Sequence, residues 1–221
     1  MRSAFTMAEM ALPEKAIDRP TITVRPHRPW RAALLWITVS VVGAVVAALI
    51  GWQIRSHGSA STNQGLAYAA TVVSAVIAGG SQWFVLQRYR LDVFWWVPAT
   101  VVAGLINEII VFPSVLSHFI PAPNSSVASE IAILGGALAL AAGGLVVGLA
   151  QSLAMRPSTG DIAWAWIPAT IVGGALAGGL TTTLASDFFG FPYFVTLGAL
   201  TAIGAVLTAA SQVAVVIRVL R

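Results

Sequence analysis

Cysteine is absent from the chain. That excludes disulfides, thiol nucleophiles, iron–sulfur ligation, palmitoylation and a lipoprotein anchor, and it leaves the compartment open. Charge is almost absent too: 9% of the 221 residues are Asp, Glu, Lys or Arg, where a soluble domain carries about 25%. Hydrophobic residues make up 57%, more than a soluble fold of this length can hide, because a folded chain still exposes much of its surface. Lipid is therefore the expected solvent. The net charge of +4 does not point to nucleic acid, since the basic residues sit in short tracts beside apolar segments rather than in one patch. Gly-x-Ser-x-Gly, His-Glu-x-x-His and the phosphate-loop motif are missing, and no apolar segment carries an interior lysine that could hold retinal.

What is present is length and apolarity. A bilayer core of about 30 Å needs about 20 helical residues. Six stretches meet this, at about 32–54, 64–87, 93–113, 128–153, 163–184 and 192–217. Polar turns separate them, at Arg55–Asn63, Arg88–Asp92, Ser114–Val127, Arg156–Ile162 and Ala185–Phe191. The expected fold is all-α, an integral membrane protein of six transmembrane helices. Residues 1–29, charged and broken by Pro13, Pro20, Pro26 and Pro29, read as a flexible cytoplasmic tail without a signal peptide. Within it, Phe5–Leu12 has a second reading as a segment lying on the membrane surface. Residues 30–221 form the transmembrane domain.

Orientation follows from Lys and Arg. Eleven of them, Arg88, Arg90, Arg156 and Arg218 included, fall on one side and Arg55 alone on the other, which places both termini in the cytoplasm and the chain in an inner (plasma) membrane. Trp30, Trp36, Trp83, Trp95, Trp96, Trp164 and Trp166 collect at the cytoplasmic ends, with Trp52 near the other face, where indoles are expected at headgroup level.

An internal repeat organises the spans. Odd spans open alike: Trp36-Ile-Thr-Val-Ser40-Val-Val, Trp96-Val-Pro98-Ala-Thr100-Val-Val and Trp166-Ile-Pro168-Ala-Thr170-Ile-Val. Even spans close alike around Gln82, Gln151 and Gln212 and end on Arg88, Arg156 and Arg218. The unit is a helical hairpin, at about 30–90, 91–157 and 158–221. Three copies in one orientation imply a pseudo-threefold axis along the membrane normal, unlike the inverted repeats of many transporters. Proline at the third position of an opening falls in the first helical turn, where its missing N–H matters little. The Ser40, Thr100 and Thr170 hydroxyls are placed to bond a carbonyl one turn back or a neighbouring helix. Small residues four apart, such as Gly43/Ala47, Gly135/Ala139/Gly143 and Gly174/Gly178, predict close helix packing, with the fourth and fifth spans central.

The segment Gly79-Gly-Ser-Gln82-Trp-Phe-Val-Leu-Gln-Arg88, followed by Trp95-Trp96, resembles a Gly-x-x-Gln-Trp-x-x-Leu-Arg hairpin signature of a loosely defined group of uncharacterised bacterial polytopic membrane proteins. The later copies lack the tryptophan after glutamine. That group has no assigned activity, so the resemblance implies no catalytic residue, cofactor or metal.

Candidate functional residues are few. Glu108, preceded by Asn107, is the one intramembrane carboxylate, about a turn from the outer boundary. Cation binding or proton relay, pairing with the outer loop, and exposure to headgroups are its three readings. Gln82, Gln151 and Gln212 share one depth; they either ring the axis or tie each hairpin to the next, since an amide there needs a protein partner. His57, His118, Glu130 and Asp187 share the outer side with Glu108, but without ligand spacing. Asp92 and Asp161 read as helix N-caps. No nucleophile–base arrangement appears, so the chain is not expected to be an enzyme. The leading expectation is a structural or accessory subunit that meets the lipid bilayer and other membrane subunits or itself; the alternative is a small transporter or channel with Glu108 at its outer mouth.

Overall fold

The computed structural model describes residues 29–57, 63–89, 91–119, 128–185 and 190–219. The tail 1–28, most of the loop around Pro121–Asn124, and Asp187 lie outside these, as does the side chain of His118. Among the described residues there is helix and turn and no strand. α1 runs Pro29–Ser56 and α2 Asn63–Arg88; α3, Trp96–Ile106, passes through a π-turn, Asn107–Val111, into α4, Phe112–Phe119. α5, Ala128–Thr159, meets α6, Trp166–Leu184, through a 3-10 turn over Gly160–Ala165, and α7 covers Tyr193–Val219.

Five helical stretches are long and apolar enough to cross a membrane, and only 17 to 28% of each apolar window is buried within the chain. Leu34, Val42, Phe84, Val102, Leu138 and Leu176 all face outward, an apolar surface that suits lipid rather than water. One stretch, Glu130–Leu184, is 55 residues long and contains both α5 and α6. It folds back on itself. Gly160, at φ +61°, takes the left-handed conformation that ends a helix at the position after its last turn. The expected turn at Arg156–Ile162 is thus displaced, because α5 continues through Arg156 and Pro157 to Thr159.

Sequence explains several starts. Pro98 and Pro168 are the third residues of α3 and α6, among the N–H groups that no intrahelical acceptor would satisfy. The first opening has Thr38 there instead, and α1 starts earlier, at Pro29. The aspartate caps do not form. The residues preceding α3 and α6 are Trp95 and Ala165, neither with a side-chain cap bond, so Asp92 and Asp161 lie too far upstream to act. What Asp92 supplies is its carbonyl oxygen, which accepts from Ser158 Oγ and joins two neighbouring turns.

Each helix packs mainly on its chain neighbours, and α7 closes on α1. No helix is central, contrary to the expectation for the fourth and fifth spans. Their glycines serve each other instead. A Cβ on Gly174 would stand 2.2 Å from Leu140 O, and one on Gly178 would stand 2.1 Å from Gly136 O, so α5 and α6 touch backbone to backbone. The buried core gathers at the end of the bundle that carries Arg88, Arg156 and Arg218; it includes Ala32, Trp36, Leu86, Trp96, Met155, Trp166 and Val216. The opposite end is hollow.

Candidate functional site: a tryptophan–glutamine floor beneath a hollow

Three of the tryptophans expected at headgroup level are in the core. Trp36, Trp96 and Trp166 have exposures of 0%, 0% and 1%. Their rings meet edge to face, with centroids 5.3 Å apart for Trp36–Trp166, 5.4 Å for Trp96–Trp166 and 6.3 Å for Trp36–Trp96. That geometry places the positive ring edge against the negative ring face. Trp30 and Trp95 remain exposed, as expected. The difference has a physical cause: an indole prefers the interface only when it faces lipid, and here the third turn of α1 and the first turns of α3 and α6 point it at the other helices.

Two glutamines satisfy two of the three indoles. Trp166 Nε1 donates to Gln151 Oε1 at 2.8 Å, and Trp36 Nε1 donates to Gln212 Oε1 at 3.3 Å. Gln151 Nε2 donates to Thr100 Oγ1 at 3.0 Å, and Gln212 Nε2 to Thr170 Oγ1 at 3.3 Å. Each threonine in turn donates one turn back, to Trp96 O and Trp166 O, so both readings of those hydroxyls are realised together. Gln151 therefore ties α5 to α3 and α6, and Gln212 ties α7 to α6 and α1, while indoles fill the space between them.

The third set differs. Its members by sequence alignment are Ser40, Gln82 and Trp96. Ser40 Oγ and Trp96 Nε1 are buried with no partner. Gln82 turns instead to Gln151, accepting from its Nε2 at 3.4 Å. Indole is a donor only, so Trp166 fixes which end of Gln151 is oxygen, and the chain of bonds then fixes Gln82. Gln82 presents its oxygen to Gln151, and its own Nε2 has no partner among the described residues.

Above this floor lies a cavity of about 610 Å³, reached by α1, α2, α5, α6 and α7. Ser40, Gln82 and Gln212 stand at its inner end, Thr181, Thr182 and Ala185 farther out. A second cavity, of about 430 Å³, shares Ala44 and Ala78 with it and extends to Arg55, Asn107 and Glu108. Glu108 Oε2 pairs with Arg55 Nη2 at 3.3 Å, and the same guanidinium donates to Thr71 Oγ1 at 3.3 Å. Of the three readings of Glu108, its observed partner is thus the end of α1, a residue the sequence marked only as the lone basic group on its side.

Asn107 and Glu108 open the π-turn, where Phe112 N–H bonds Asn107 O, five residues back. Pro113 follows; its ring clashes with the carbonyl four residues earlier in a regular helix, and a wider turn relieves this. Asn107 is buried, and its Nδ2 donates to Gly143 O at 3.2 Å, fastening the wide turn to α5. Of the other outer-side polar groups, Glu130 is exposed and His57 Nδ1 bonds Gln53 O, while the side chains of His118 and Asp187 lie outside the described residues. Among the described residues, no three His, Asp or Glu side chains gather as metal ligands.

No family model, curated protein or solved structure matches the chain.

Proposed function

We propose that the protein is a small membrane transporter of six spans, built as three like-oriented hairpins about a pseudo-threefold axis, with both termini cytoplasmic. The observation that carries this is the pair of adjoining cavities, running from the Arg55–Glu108 mouth to Gln82 and Gln212 and stopping at the tryptophan floor. A hollow open toward one membrane face and shut at the other is what alternating access requires of one of its states. The floor is the inner gate in this reading. The Arg and Lys distribution supports a cytoplasmic side for that floor.

The absence of cysteine makes the test direct. Single substitutions Ala44→Cys and Thr201→Cys, in the hollow, are treated in intact cells with a small membrane-impermeant thiol reagent. Val102→Cys on the lipid face and Gln87→Cys at the basic end are the references. Transport predicts that the two hollow positions react from outside and that Gln87→Cys reacts only after permeabilisation. Hollow positions as inert as Val102→Cys would sink the reading.

The accessory-subunit reading draws on a different observation, the backbone-to-backbone contact of α5 and α6 at Gly136, Gly174 and Gly178, a rigid unit suited to a scaffold. It predicts a stable partner or self-association in mild detergent and no outside reaction in the hollow.

A further inference from the structure

We infer that the inner end of the hollow binds the oxygen of an uncharged, mostly apolar molecule, such as a ketone or an alcohol, through Ser40 and Gln82. This rests on the transport reading and names the class of its substrate. Three hydrogen-bonding sets occupy aligned positions, and two are closed. In them, Gln151 bonds Thr100 and Gln212 bonds Thr170. In the third, Ser40 Oγ is unpartnered although Ser40 is only 7% exposed, and Gln82, half-buried in the same cavity lining, gives its Nε2 to no described residue. A buried polar group without a partner costs about 1–3 kcal/mol, so a set left open where its two counterparts are closed calls for an acceptor from outside the chain. The Ser40 hydroxyl and the Gln82 amide are the donors that this set leaves for such an acceptor.

The rest of the lining sets the remaining chemistry. Among the described residues, none lining this cavity is charged, and a bare ion would lose its hydration there without a counter-charge, so the ligand is taken as neutral. Ala44, Ala78, Leu140, Ala177, Leu200 and Ala205 offer apolar walls to its body. A volume of about 610 Å³ falls within the range of about 300–1,000 Å³ that holds drug-sized molecules. Entry is past Ala44 and Ala78, from the Arg55–Glu108 end.

Benzophenone is the probe: a neutral ketone that on irradiation takes a hydrogen from a nearby C–H bond and joins the two resulting radicals as a C–C bond. The full chain in lipid nanodiscs is irradiated with it, and adducts are mapped by mass spectrometry. Adducts on peptides carrying Ala44, Ala78 or Leu200 are expected. Ser40→Ala and Gln82→Leu should each lower their yield about threefold to tenfold, the affinity equivalent of one hydrogen bond. Ala205→Trp, which fills the cavity and leaves both donors in place, should abolish them while lipid-facing adducts persist. Adducts confined to outward residues such as Val102 and Leu176 overturn the inference, and so do cavity adducts indifferent to Ser40→Ala and Gln82→Leu. If Ala44→Cys reacts from outside yet benzophenone leaves the hollow unlabelled, this inference fails alone. If neither enters, the transport reading fails with it.

Discussion

Trp166 donates its indole N–H to Gln151 Oε1 at 2.8 Å, joining α6 to α5 where both side chains are almost wholly buried. Gln151 also donates to Thr100 and to Gln82. One amide thus links α5 to α2, α3 and α6, and its removal leaves a tryptophan N–H stranded.

Gln151→Leu is therefore expected to destabilise the protein by about 1–3 kcal/mol, the penalty for an unpaired buried donor. Gln82→Leu gives up a single 3.4 Å bond and should lose about 0.6 kcal/mol, the average for an interhelical hydrogen bond in lipid. Thermal unfolding of the two variants in one detergent checks the order. Equal losses would show that the amides are not distinguished as described.

Ser40 and Thr170 hold aligned positions with different duties. Thr170 accepts from Gln212 and donates to Trp166 O, whereas Ser40 Oγ has no partner. Thr170→Ala should lower the unfolding temperature, and Ser40→Ala should leave it unchanged or raise it, because it removes an unsatisfied buried hydroxyl. A Ser40→Ala variant that melted well below the parent would show that Ser40 is bonded.

Gly178→Ala would set a methyl 2.1 Å from Gly136 O, and Gly174→Ala one 2.2 Å from Leu140 O. Backbone must move in either case, at about 1–3 kcal/mol for overpacking of this kind. Gly80→Ala and Gly198→Ala meet open space and should be tolerated. Folded yield and melting of the four variants decide the matter; comparable behaviour would mean that α5 and α6 are not in close contact.

Arg55 and Glu108 are 49% and 27% exposed, so their ion pair is screened by solvent. A double-mutant cycle on Arg55→Gln and Glu108→Gln should give a coupling under about 1 kcal/mol, shrinking further in high salt. A coupling several times larger would place the pair in a dry environment rather than at an open mouth.

Much of the architecture was legible in the sequence, because it rests on local and additive properties. Apolar run length places most helix ends within about three residues, although α4 and α5 run six residues past the expected ends at 113 and 153, and proline at the third position of two openings marks their starts. The tryptophan and glutamine repeats flag the residues that matter. The direction of those side chains was not legible. A tryptophan near a span end reads as a headgroup anchor, and whether it faces lipid or protein depends on helix rotation, which neighbouring helices set. The Arg55–Glu108 pair, 53 residues apart, escaped for the same reason.

By itself, the sequence determined that this is a helical chain for an apolar solvent, with helix lengths near a bilayer's thickness and polar groups rationed to a few aligned positions. Tertiary structure alone decided how those positions are used. Three tryptophans close one end because their helices converge there, and two glutamines are consumed in holding them. The third set stays open, with Ser40 and Gln82 facing a cavity, because Gln82 bonds Gln151 instead of its aligned partners. Hydrogen-bond partners are chosen by distance and direction in three dimensions, and identical spacing along the chain cannot distinguish a closed set from an open one.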